Sequence, residues 1–446
     1  MKIEIRNLGA IKHIVLEPKP LTIITGKNNS GKTYAMYTLW ALASLGDRIV
    51  FDAVDDLAKS LKNNGVIEFN LKNFIRENWL NLINSINKAI PNLVAATFNV
   101  DAKTFKDSQI SFKFTFEEFE KQYLDVFDLS LIDIDRKGIF EVSYSIRTSL
   151  LLIRNNFISR EFPTFLFKNY ISNIIAKTIL SPLAKNAFLM PTERVGLNLF
   201  FNDLNTQKKN IDNYLNNPDN FKAKDIDETL NRTYYSKPIE DYINFLNDQE
   251  FDYKVKSSFL SGSLQHLNNF ISVNFRKDKG NIYFQDVNGN ELGIHLASSA
   301  IKSNLALWVY LNNIAANNNL LMIDEPEINL HPDAQRHMAR LIAFLVNKGI
   351  KVAISTHSDY FIREINSLIM LNNDFPNKKK ILGEFNYTSR DRLTIDQVAA
   401  YCFENGNATR MPIDSRYGIQ VDTFDDVINT MNESFASIQF QLDDGL

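Results

Sequence analysis

The chain has 446 residues, 51.2 kDa, 45% hydrophobic residues, a net charge of −3 and a pI near 6.1. This length suits two or three domains, or one with a large insertion, and the apolar content argues against wholesale disorder. The charge balance excludes a constitutively basic nucleic-acid coat, and the lone Cys402 excludes an internal disulfide, as expected in a reducing cytosol.

The N-terminus enters an alternating strand, Lys2 to Arg6, with no charged-then-apolar leader. No uncharged run of 18 apolar residues occurs, so the expectation is a soluble, cytoplasmic protein with no membrane contact. Ile11 to Leu16 and Leu21 to Thr25 complete a predicted β-meander, punctuated by Pro18 and Pro20. Next comes Gly26-Lys27-Asn28-Asn29-Ser30-Gly31-Lys32-Thr33, which fits G-x-x-x-x-G-K-[ST] without mismatch. It lies between that apolar strand and a helical pattern ending near Gly46, the context a phosphate-binding loop needs. Two glycines let consecutive N–H groups and a helix N-terminus face phosphate oxygens. Lys32 adds a charge for the β- and γ-phosphates, and the Thr33 hydroxyl is a magnesium ligand. ATP or GTP binding follows.

Residues 50–186 read as a helix-rich insertion. Helices are predicted over Phe74 to Ala89, Phe116 to Phe127 and Phe165 to Leu180, and strands over Ser111 to Phe116 and Phe140 to Ile146. The phenylalanines at 3–4 spacing are core positions, and no heptad seam marks a long coiled-coil arm. Ala187 to Met190 then reads as a core strand delivering Pro191-Thr192-Glu193-Arg194 either to a site or to an ordinary surface Glu–Arg exit. Residues 200–260 read as a solvated helical lobe. Short strands are expected at Ile271 to Phe275, Asn281 to Gln285 and Leu292 to Leu296.

Ser298 and Ser299 open a predicted helix, Ala300 to Ile314; the pair is an N-cap or a phosphate site. Leu320 to Ile323 is a buried-strand run ending in Asp324 and Glu325, the Walker B form, in which Asp324 holds Mg²⁺ through water and Glu325 polarises the attacking water. Beyond Glu-Pro-Glu-Ile-Asn-Leu-His-Pro, the strand Lys351 to Ser355 delivers His357, placed for a γ-phosphate contact.

This order resembles the ABC-type ATPase heads of the SMC, Rad50 and RecF class, with the nearest likeness to the OLD-like group of bacterial AAA ATPases. The likeness covers about residues 1–45 and 187–370. It implies an α/β fold: a P-loop ABC-type head, a mixed sheet with flanking helices, carrying a large helix-rich insertion. The division expected is 1–49 and 187–375 for the two parts of the head, 50–186 for the insertion and 376–446 for a small α+β extension. The resemblance makes Ser298 and Ser299 a signature motif that touches the γ-phosphate of a second subunit, although Ala300 stands where the family carries glycine. It makes Asn329 to Pro332 a D-loop, and the 191–194 segment similar to a Q-loop region. It also implies ATP and Mg²⁺ as cofactors and a homo-oligomer of heads.

The tail after His357 holds no Asp-x-Asp pair and reads as a strand pair followed by an amphipathic helix, Phe424 to Phe440, so no Toprim nuclease is expected. Members built this way resemble the ATPase subunits of anti-phage systems such as the PARIS type, which implies a separately encoded effector. Two alternatives stand beside this one: a RecF- or Rad50-like repair ATPase with DNA as partner, for which Lys378-Lys379-Lys380 is the cheap support, and a nuclease with an atypical metal site.

Overall fold

The computed structural model describes residues 1–126, 140–145, 147–156, 163–201, 204, 235–252, 262–286, 288–420 and 422–443. Most of the lobe expected at 200–260, and the ends of the predicted Phe116 to Phe127 and Phe140 to Ile146 elements, lie outside these residues.

A nine-stranded mixed sheet organises the chain. Its spatial order is 109–113, 2–8, 11–16, 407–410, 398–404, 21–26, 351–355, 320–324, 187–190. The last five strands run parallel to one another. Such strands are covered on both faces and therefore read as continuous apolar runs, as Leu-Leu-Met-Ile at 320–323 does. The side chains nevertheless alternate: Leu320 and Met322 join one core, Leu321 and Ile323 the other. The first core is closed by the helix Lys32–Leu45 and the insertion, the second by helices Ser299–Asn313, Pro332–Asn347 and Asp359–Met370.

The insertion carries helices Asp55–Asn64, Leu71–Phe98, Phe116–Val126 and Thr164–Leu180 beside a three-stranded sheet of 66–70, 150–155 and 140–145. One of its strands, Gln109–Lys113, pairs antiparallel with Lys2–Arg6 and so extends the main sheet. The strand predicted over Ser111 to Phe116 runs Gln109–Lys113 instead, and Phe116 begins the next helix. The strand predicted at Ile271 to Phe275 runs Asn274–Asp278 instead, in register with Asn281–Gln285. Of Leu292 to Leu296 only Glu291–Gly293 pairs, after which Ile294–Leu296 tightens into a 3₁₀ turn that leads to the Ser298 cap.

The tail has the expected strand pair and following helix, Asp422–Asp443, but the pair is not part of a separate 376–446 extension. Val398–Glu404 and Asn407–Arg410 form a hairpin inside the main sheet, with Val398–Phe403 parallel to Leu21–Gly26. The apolar run Val-Ala-Ala-Tyr-Cys-Phe fills a central slot that would otherwise leave the P-loop strand as an open edge. Among the described residues no helix is long and apolar enough to cross a membrane.

Lys351 opens the strand 351–355 with its ammonium buried on the Pro182 carbonyl, and burial pushes its pKa down to about 8. Lys351→Met is expected to gain about 1–3 kcal/mol at pH 7, where the wild type carries a buried charge. The gain shrinks between about pH 8 and pH 10.5, the window in which the unfolded chain still binds a proton that the folded chain has lost. Thermal melts at pH 7 and pH 10 read both signs; a variant less stable at pH 7 would refute the account.

Candidate active site

Three neighbouring parallel strands, 21–26, 351–355 and 320–324, end on the same side of the sheet, where open α/β sheets hold ligands. The first delivers Gly26, whose φ of 134° suits glycine. A Cβ there would also lie 2.1 Å from the carbonyl oxygen of Phe403, so the tail hairpin forms the floor of this loop. Gly31 (φ 103°) directly precedes the helix Lys32–Leu45, and a Cβ on it would meet the Ile11 side chain at 2.6 Å. Asn29 is also left-handed, at φ 60°. Lys27, Asn28, Asn29 and Thr33 are exposed, whereas the Ser30 hydroxyl is buried without a hydrogen-bond partner among the described residues. Lys27 forms an exposed ion pair with Glu404 at 2.8 Å.

The Lys32 ammonium folds back over the loop, donating to the carbonyl oxygens of Gly26 (2.9 Å) and Lys27 (2.8 Å). Burial lowers its pKa below that of an ordinary lysine, while the carboxylates of Asp324 and Glu325 hold the proton on. Asp324 accepts a hydrogen bond from the Ser355 hydroxyl of the adjacent strand. Glu325 takes a left-handed backbone conformation, φ 50°, costly for a non-glycine residue. Its N–H donates to the Ser355 carbonyl at 3.0 Å, which helps hold that conformation. Burial, then the neighbouring Asp324 charge, raises the Glu325 pKa above 4.5.

Three further residues shape this ground: Arg194, in the segment read as similar to a Q-loop region, and Glu327 and Ser355, to which no role was given. Arg194, only 2% exposed, sends its guanidinium under the turn, donating to the Asp324 carbonyl (2.7 Å), the Glu325 carbonyl (2.6 Å) and the Pro191 carbonyl (3.1 Å). It is therefore not half of a surface Glu–Arg pair; Glu193 is exposed and Arg194 is not. Glu327 accepts from the His357 N–H at 2.7 Å and from the Thr356 hydroxyl at 2.9 Å, tying the turn after Asp324–Glu325 to the loop that carries the histidine. Ser355 holds Asp324. The signal for Glu327 and Ser355 was their adjacency to assigned residues; for Arg194 it was the core strand ahead of it and the likeness of 191–194 to a Q-loop region.

The His357 ring is half-buried, and its pKa falls below 6.5 through burial and then the Lys32 charge, with Asp324 opposing. Ser298 and Ser299 stand apart from this group. Ser298 caps the helix Ser299–Asn313, accepting from the Ile301 N–H at 3.3 Å, and both serines are exposed. Among the described residues neither shares a hydrogen bond with the 26–33 loop. Lys32, Asp324, Glu325, Glu327 and His357 thus converge, and the serine pair lies on an outward-facing helix end.

The convergent set fits a triphosphate. The loop's left-handed glycines and the helix N-terminus offer N–H groups to an anion, Lys32 supplies the charge, and Thr33 and Asp324 offer oxygens to a magnesium ion. Among the described residues no cluster of three or more His, Cys, Asp or Glu could cage a metal unaided, so a cation here would take oxygens from phosphate and water as well.

A family profile described as AAA ATPase domain (AAA_15) matches residues 1–362. No curated protein matches the chain. Among solved structures, the chain is similar to the Smc head domain with an extended coiled coil bound to the C-terminal domain of ScpA from Pyrococcus furiosus. The identity is 12%, with 97% of this chain and 98% of that chain covered and a TM-score of 0.33. It is also similar to the SMC head domain from Thermotoga maritima, at 9% identity, with 93% and 98% covered and a TM-score of 0.32.

Proposed function

The chain belongs to the AAA ATPase domain family, and from that premise we propose that it is an ATP-driven switch that assembles through its heads. The observation that supports this reading is the gathering of Gly26, Lys32, Asp324, Glu325 and His357 at the ends of three adjacent parallel strands. Lys32 exchanges the Gly26 and Lys27 carbonyls for the β- and γ-phosphates. Thr33 and Asp324 would hold a magnesium ion, which would supply positive charge against the phosphates. Glu325 takes the proton of the attacking water, and His357 contacts the γ-phosphate. Ser298 and Ser299, exposed at a helix N-terminus, face the γ-phosphate held by a second subunit.

The resemblance in motif order supports a further step: the closed assembly controls a separately encoded effector in anti-phage defence. The test of the switch is mass against nucleotide. A non-hydrolysable ATP analogue is expected to raise the oligomer mass of the wild type in light scattering. Lys32→Ala, having lost a charge-assisted phosphate contact, binds ATP about tenfold to a hundredfold more weakly and fails to respond. A mass unchanged by the analogue would overturn assembly through the heads.

A further inference from the structure

A cavity of about 450 Å³ opens at the end of the sheet opposite the nucleotide site, where the strands 21–26, 320–324 and 351–355 begin. Leu39, Leu183, Leu320 and Ala353 give it an apolar wall. Lys351 lines it too and is half-buried, so its side chain borders both the interior and this opening. Its ammonium donates to the Pro182 carbonyl, also in the wall, and forms no ion pair among the described residues. A buried ammonium is ordinarily neutralised by a carboxylate, so a lone carbonyl partner calls for a reason.

Three carboxylates line the cavity, and none is spent on Lys351. Glu17 pairs with Lys2 (2.5 Å) and Arg410 (2.8 Å), Glu118 pairs with the Met1 amine (3.1 Å), and Asp396 is exposed. Lys19 stands in the wall as a further cation, and its ammonium has no hydrogen-bond or ion-pair partner among the described residues. A carbonyl oxygen such as that of Pro182 only accepts. It bonds the ammonium or the neutral amine, and once the proton has gone it leaves the lone pair of the amine free. A carboxylate partner would instead hold the proton on. Burial lowers the Lys351 pKa to about 8, so about a tenth is free amine at pH 7, against about 0.03% for a lysine at 10.5. Desolvated lysines of this kind act as nucleophiles.

We propose that Lys351 is an acylation site, which takes a short acyl group from a small acyl phosphate that enters this cavity and whose phosphate is attracted by Lys19. The lone pair of the neutral amine attacks the acyl carbon, and the N–C bond forms. The C–O bond to phosphate breaks, phosphate departs with that electron pair, and the nitrogen gives one proton to water. The apolar wall receives the acyl chain, and the free Lys19 ammonium attracts the anionic leaving group. The product amide carries no charge, so it removes the same buried charge that Lys351→Met removes. This reaction needs no nucleotide, and it goes beyond the head-to-head assembly proposed above.

The test incubates the nucleotide-free full chain with acetyl phosphate at about pH 7 and follows acetylation of each lysine by peptide mass spectrometry. Lys351 is expected to react about tenfold faster than the exposed Lys379 and Lys380. The larger fraction of free amine wins, although a less basic amine is the weaker nucleophile. The rate at Lys351 should level off above about pH 8 rather than climb through about pH 10. Lys19→Ala should slow Lys351 about threefold with acetyl phosphate and leave its rate with an uncharged acetyl ester unchanged. Two results would overturn the proposal: Lys351 acetylated no faster than Lys379 and Lys380, or a Lys19 variant that treats the two donors alike.

Discussion

Glu325→Gln is expected to lower ATP turnover about 10²–10⁴-fold while ATP binding is retained. Glutamine keeps the volume and the backbone hydrogen bonds of Glu325 but cannot accept the proton of the attacking water. Single-turnover hydrolysis and nucleotide titration separate the two effects, and an unchanged hydrolysis rate would remove Glu325 as the base. The wild type carries a linked signature in pH. Burial and the Asp324 charge raise the Glu325 pKa, so kcat/KM should be lost as the pH falls through a midpoint above 4.5. Lys32 must be charged to hold phosphate and its pKa is lowered by burial, so the alkaline limb should lie below 10.5.

Arg194 carries the second large effect. Its guanidinium satisfies three carbonyls at once, two of them on the residues that make up the Walker B pair. Arg194→Met leaves these buried acceptors without a donor, at about 2–4 kcal/mol of stability. Arg194 also holds the Glu325 pKa down, so the same variant should move the acid limb of kcat/KM upward. Arg194→Lys keeps the charge but cannot fork between carbonyls, so the limb should stay in place while kcat falls more than KM rises. A purely structural arginine would lower stability in both variants and leave the pH limb where it is. That split defines Arg194 as a positioning residue.

Much of the head was legible because its elements are locally coded. The glycine loop needs Gly26 and Gly31 at fixed offsets, and the strands at 21–26, 320–324 and 351–355 are covered on both faces, so they read as short apolar runs. The helix Leu71–Phe98 was seen over Phe74 to Ala89 only, since Pro91 interrupts the pattern that tertiary packing carries through. The exposed serine pair at 298–299 shows the opposite case: a motif legible in sequence need not join the cluster within one chain.

The sequence alone determined the phosphate loop, the two carboxylates at a strand end and the histidine two residues past the next, because backbone conformation and charge at those points depend on nearest neighbours. Only the tertiary structure decided which strands lie side by side. Pairing between 398–403 and 21–26, or between 109–113 and 2–6, depends on partners far away in the chain, and a β-run states that it will pair but not with which strand. For the same reason the carbonyl of Phe403 beneath Gly26, and Arg194 beneath Asp324 and Glu325, became visible only once the sheet was assembled.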